Sequence, residues 1–131
     1  MTKYANIMPA VNQIEFHPSH QQPEVIKVAK EHGIQICGYA MCHDCMYSPN
    51  PVIEEIAKRT GRSIYQVTLR WVHQKGIVSI FGSSVLEQQK ENLASLDGPD
   101  LSPEDMAKID ALDRNRPIFF SPEATEQTVR N

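Results

Sequence analysis

The residues able to do chemistry sit at a few places along the 131-residue chain. Cys42-His43-Asp44-Cys45 is a C-x-x-C, with Cys37 and His17 as conceivable further ligands. Zinc takes four tetrahedral ligands, and neither a second C-x-x-C nor an H-x₃₋₅-H accompanies this one, so it reads as a loop that carries thiols. A redox dithiol wants its first cysteine at a helix N-terminus, yet the next helix start signalled by sequence lies near Pro51. His17-Pro18 closes an apolar run, and the proline holds His17 extended, as suits a structural histidine at a strand end. His20, His32, His43 and His73 have no partner at a diagnostic spacing. Ser83-Ser84 lacks an evident His/Asp pair and reads as a helix cap before a nucleophile. No G-x-G-x-x-G is present, and Gly33 and Gly38, at P-loop spacing, precede Tyr39-Ala40 where lysine and Ser/Thr are required. The stretch after Ser84 says more. Leu86 to Asn92 is almost wholly polar, and a helix start offers free N–H groups and partial positive charge that suit a phosphate. Ordinary capping of a solvated helix accounts for the same residues, so both readings stand.

Positioning these groups falls to three short apolar runs that read as buried strands: Val11–Phe16, Ile34–Tyr39 and Ile77–Phe81. Helix punctuation follows each of them. Ser19-x-x-Gln22 fits a capping box for a helix with Val25, Ile26 and Ala29 inward, running to Gly33. Asn50-Pro51 opens a second helix whose stripe is Val52, Ile53, Ile56 and Ala57, ending near Gly61. Ser63-x-x-Gln66 opens a third, with Ile64, Val67, Thr68, Trp71 and Val72 inward and a stop at Gly76. Ser84-x-x-Glu87 caps a fourth, in which Leu93, Ala94 and Leu96 look like core. Ser102-Pro103 starts the last, with Met106, Ile109 and Leu112 inward. Strands alternating with helices imply crossovers and a parallel α/β sheet. Three strands leave two unpaired edges and an uncovered face, so parts of Ile14, Ile36 and Ile80 should meet water. The expected layout is a domain over 1–116 and a polar tail over 117–131.

Composition narrows the function classes. At 14.8 kDa the chain makes one domain, with 40% hydrophobic and 22% charged residues and a formal charge of −3. That balance lacks the basic footprint of a nucleic-acid binder. No apolar run reaches the ~18 residues of a membrane span, and MTKYANIMPA lacks a signal-peptide core. Three crowded cysteines cannot all pair, which makes a reducing cytoplasm the default location.

Val11-Asn12-Gln13-Ile14-Glu15-Phe16-His17-Pro18 closely resembles the N-Q-[IV]-E-[YF]-H-P strand of the aldo-keto reductases. The likeness continues in order through Gly38-Tyr39-Ala40, Gln66-Val67-Thr68-Leu69-Arg70-Trp71, Ile80-Phe81-Gly82-Ser83-Ser84, Lys90-Glu91-Asn92-Leu93 and Leu101-Ser102-Pro103-Glu104-Asp105. It covers nearly everything up to Pro117. The resemblance implies a (β/α)₈ TIM barrel, of which these strands look like the sixth to eighth, and NADPH-dependent reduction of aldehydes or ketones. The family's tyrosine, lysine, aspartate and histidine belong to earlier strands and have no counterpart here; Tyr4 and Tyr39 lack the matching context. The resemblance therefore implies no catalytic residue and a chain inactive alone. What it leaves is part of a cofactor cradle. Gln13 falls at the nicotinamide carboxamide, Tyr39 at the nicotinamide face, Ser83 and Ser84 at the adenosine phosphate, and Glu91 and Asn92 at the adenine edge. Gly82 and Gln88 replace a frequent lysine and arginine that pair with the 2′-phosphate, which weakens NADP relative to NAD. Phe81 stands for the usual proline, and Met41-Cys42 for Pro-Leu. A complementary barrel fragment or a homo-oligomer is the expected partner. The alternative is a non-catalytic nucleotide-binding or interaction module.

Overall fold

A computed structural model describes residues 5–119. Its elements run β1 (Val11–Glu15), α1 (Pro23–Glu31), β2 (Gln35–Tyr39), α2 (His43–Tyr47), α3 (Pro51–Thr60), α4 (Ile64–Gln74), β3 (Val78–Ser79), α5 (Leu86–Ala94) and α6 (Pro103–Asp110). The three strands form one parallel sheet in the order β1-β2-β3. Val11 pairs with Gln35 and Glu15 with Tyr39, while Cys37 and Gly38 pair with Val78 and Ser79. Both outer strands are edges, as the alternation of strands and helices implied. β3 is shorter than the apolar run that announced it, because Ile77 donates its N–H to Val72 at the end of α4 rather than to a strand.

Side chains alternate across a strand, so the register sorts residues by face. Phe16 and Ile36 point to the helix-covered side and are buried, with Phe16 stacked on Trp71 of α4 at 5.0 Å between ring centroids. Ile36 is thus core, not the partly wetted residue expected, and Ile14 packs against the same core. Water meets the opposite face instead, at Val11, Val78 and Ile80. Gly38 allows the layers to approach: a Cβ there would lie 3.2 Å from Phe16 Cβ and 3.3 Å from Ile77 Cγ2.

The helices begin where capping chemistry predicts in three cases. Asn50 caps α3 through Val52 N–H, Ser63 and Gln66 complete a capping box on α4, and Ser102 caps α6 through Asp105 N–H. Gly61 ends α3 in the left-handed region at φ 68°, where a side chain is strained. Three expectations fail. Ser19 does not cap α1: its hydroxyl donates to Asp44, and Gln22 precedes the helix in a left-handed conformation. Cys42–Cys45 is not a loop, since α2 opens at His43 with Cys45 buried on its inner side. Ser84 does not cap α5; Ser83 does the nearest equivalent, its Oγ accepting from Val85 N–H. α5 also buries no residue, and Leu93 and Leu96 are exposed rather than core. Among the described residues, no helix is long and apolar enough to cross a membrane.

Candidate functional site

Beyond the C-terminal end of β2 the chain turns through Ala40, at φ 60°, into α2. Beyond β3 it runs through Ile80-Phe81-Gly82-Ser83 into α5. A cavity of about 400 Å³ opens between these two connections. Ser83, Gln88, Glu91 and Asn92 line one side, and His43, Met46 and Tyr47 of α2 the other; Tyr65, Phe81 and Phe119 complete the walls. Four of the seven residues singled out by sequence therefore meet in one space.

Local hydrogen bonding orders the entrance to α5. Ser83 Oγ donates to Gln88 Oε1 at 2.6 Å, and Gln89 Nε2 donates to the Ser83 carbonyl at 2.6 Å. The two neutral residues aimed at phosphate chemistry are thereby joined to each other. No lysine or arginine lines the cavity among the described residues, and Glu91 brings a carboxylate. Lys90, the nearest cation in sequence, pairs instead with Glu87 at 2.8 Å. Such a lining suits flat rings, hydroxyls and amides, and leaves a ribose 2′-phosphate without a cation.

The other three sequence-selected residues lie outside the cavity lining. Ser84 is exposed beside it. Gln13 is exposed on the open face of β1, in register with Cys37. Tyr39 shares that face; burial and then the charge of Glu15 raise its hydroxyl pKa. Its ring lies 6.0 Å from that of Phe119, which connects it to the cavity wall.

Next to Tyr39 lies a buried ionic cluster that sequence reading did not assemble. His17 Nε2 faces Glu15 Oε1 at 3.1 Å and Nδ1 faces Asp44 Oδ2 at 3.3 Å. Burial opposes the imidazolium, but the two carboxylates outweigh it and raise the His17 pKa. The His17 hydrogen bond holds Asp44 down at about 2 against the opposing effect of burial, with Ser19 assisting. Burial likewise works against ionised Glu15, yet the amides of Ile118 and Phe119 and the His17 ring bring its pKa below the ordinary value. Nothing in the spacing announces Phe119, which lies more than a hundred residues from Glu15 in the chain.

The C-x-x-C takes a different character from either reading. Cys42 sits at the start of α2, yet the Cys45 sulfur beside it and burial hold its thiol protonated, far above the ordinary value. Cys45 Sγ lies 3.1 Å from Thr68 Oγ1, a contact within the core. Cys37, Cys42 and Cys45 are all free thiols. Among the described residues, no group of three or more His, Cys, Asp or Glu side chains is arranged to hold a metal ion.

A parallel sheet with helices on one face, and a cavity at the strand C-termini, defines a piece of a β/α barrel. The family model for the Aldo/keto reductase family matches residues 1–114, and the chain belongs to that family. It is 37% identical over 123 residues to glyoxal reductase of Bacillus subtilis, covering 94% of this chain and 44% of that protein. The "Uncharacterized oxidoreductase YtbE" of the same organism is 35% identical over 119 residues, 91% of this chain and 42% of the relative. Among solved structures, an aldo-keto reductase enzyme from a Medee basin deep-sea metagenome library superimposes with a TM-score of 0.82 at 28% identity, over 92% of this chain and 45% of that one. The chain thus spans less than half the length of these relatives.

Proposed function

We propose that this chain forms the cofactor-cradling part of an NAD(P)H-dependent carbonyl reductase, holding the adenosine end of a nicotinamide dinucleotide in the cavity between α2, β3 and α5. The observation that carries this reading is the convergence of Ser83, Gln88, Glu91 and Asn92 on one space at the C-terminal ends of parallel strands. Ser83 and Gln88 offer hydrogen bonds to the phosphate side, while Glu91 and Asn92 face the base. Tyr39 and Gln13, on the open face, take the nicotinamide end once the rest of a barrel covers that face. The dinucleotide, when bound, supplies the hydride; these residues orient and desolvate it. Relatives named as glyoxal, pentose and aldose reductases make a small aldehyde or ketone the substrate class. Three free thiols fit a reducing cytoplasm.

The proton donor and its three supporting residues have no counterpart in the sequence, so we expect no turnover from this chain alone. General acid catalysis contributes about 10²–10⁴-fold, and the absent residues also position substrate. A non-catalytic nucleotide-binding or interaction module remains as a second reading, favoured by the cation-free lining. Titration with NADPH and NADH, beside an aldehyde panel, tests both. Weak binding with little preference between the two, and no oxidation above background, is expected. Gln88→Arg should then favour NADPH, because a guanidinium pairs bidentately with phosphate. Strong NADPH preference in the natural chain would refute the phosphate assignment, and turnover surviving repurification would refute the incompleteness.

A further inference from the structure

The Phe119 wall of the cavity stands on a segment that two hydrogen-bonded anchors tie to the end of β1 and the turn that follows it. Arg114 and Arg116 both donate their backbone N–H to the Ser19 carbonyl, at 3.0 and 3.1 Å. Further along, Ile118 N–H donates to Glu15 Oε1 and Phe119 N–H to Glu15 Oε2 at 3.2 Å. One carboxylate therefore accepts from two consecutive amides, an arrangement that fixes both residues of the pair. Glu15 is itself immobilised: it is 4% exposed, and its Oε1 also faces His17. His17 is wholly buried and is held from its other side by Asp44, which accepts from the Ser19 hydroxyl. The chain of contacts ends at the cavity. The Phe119 ring lies 6.0 Å from Tyr39 and edge-on to His43 at 6.4 Å, and both Phe119 and His43 line the space.

We propose that Glu15 is a positioning residue for this cavity: by clamping the Ile118 and Phe119 amides it sets the Phe119 ring as a wall, and so sets how tightly a flat ligand ring is held. The identity of the ligand rests on the cofactor reading above, whereas the clamp rests on geometry alone. Phe119 is half exposed, so packing by itself does not hold it in place. Glu15→Gln keeps the side-chain shape but removes the charge and one of the two acceptor oxygens. Phe119→Ala removes the wall and leaves the buried cluster intact.

Amide hydrogen exchange on the full chain, followed by NADH and NADPH titrations, tests the proposal. In the natural chain the Ile118 and Phe119 amides should exchange at least about ten-fold more slowly than in an unstructured peptide. Glu15→Gln should abolish that protection while Cys37 and Val67, in β2 and α4, keep theirs. Affinity for either dinucleotide should fall about three- to ten-fold in both variants, a change of the size expected from losing one ordered contact. Unprotected Ile118 and Phe119 amides in the natural chain would overturn the clamp, a result that does not depend on how any variant folds. Freed amides with unchanged affinity would overturn the positioning role. Protected amides with no binding of either dinucleotide would support the clamp and overturn the cofactor reading, so the two failures are distinguishable.

Discussion

An imidazole with no solvent exposure would ordinarily be neutral, because desolvation penalises its cation. His17 departs from that rule by lying between two carboxylates, Glu15 at 3.1 Å and Asp44 at 3.3 Å. Each partner shift has a sign for stability. The His17 pKa is raised above its ordinary 6.5, so its contribution is complete below that value and disappears as pH rises through the raised one. Asp44 falls from 3.8 to about 2, so its contribution is present above 3.8 and disappears as pH falls through about 2. Glu15, lowered from 4.5, behaves as Asp44 does. The cluster therefore stabilises most between about pH 4.5 and about pH 6.5. The Asp44 shift alone corresponds to about 2 kcal/mol, and the His17–Asp44 interaction behind it counts once although it appears in both partners' shifts. Urea midpoints measured across pH should peak in that window and decline on both sides. In Asp44→Asn the alkaline decline should shrink, because His17 loses one of its two anions. A midpoint that rises steadily from pH 5 to pH 8 would show that the buried histidine is neutral.

At the scale of the elements, the tightest place is where β2 passes between Phe16 and Ile77. Both neighbours are buried, so neither can yield the few tenths of an ångström that a methyl at Gly38 requires. Gly38→Ala should destabilise the fold by about 1–3 kcal/mol, read as a lower urea midpoint with unchanged slope. An unchanged midpoint would mean that the sheet and α4 slide past one another more easily than their packing implies. The three strands, five of the six helices and their order could be read directly, because period-2 and period-3.6 patterns bordered by Asn50-Pro51, Ser63-x-x-Gln66 and Ser102-Pro103 reflect local chemistry. Missed features depend on distant residues. Ser19 has the spacing of a cap, but Asp44, 25 residues away, takes its hydroxyl. α2 is five residues long without a capping side chain, and tertiary burial of Cys45 rather than propensity sustains it. Leu93 and Leu96 have helical spacing, but nothing in the described chain covers them. The cavity had the same limit: its polar side near α5 is contiguous in sequence, whereas Phe119 and Tyr65 arrive from elsewhere.

At the scale of the whole molecule, the described residues present two open sheet edges and one sheet face with no helix over it. Val11 is 51% exposed, Val78 48% and Ile80 40%, and Leu93 and Leu96 beside β3 add to the same apolar region. Full burial of an exposed side chain of this kind gains roughly 1.5–3 kcal/mol, and these are about half exposed, so each has roughly half of that to gain from association that covers it. The two edges are not equivalent. β3 pairs over only two residues, and a short edge is a poor template, whereas β1 is five residues long and points the N–H and C=O groups of alternate residues outward, with the Glu15 carbonyl taken by Gln22. We therefore expect self-association or capture of a complementary barrel portion, beginning at β1 and burying Val11 and Ile80. Sedimentation velocity of the 131-residue chain at low micromolar concentration should show species heavier than 14.8 kDa. Val11→Lys and Ile80→Lys, which place a charge on the open face without touching the helix-side core, should shift that distribution toward the monomer. A single 14.8 kDa boundary with a cooperative thermal transition would refute the expectation. It would mean that three strands and their helices suffice to make a stable unit, with the exposed face tolerated as the floor of a cofactor groove.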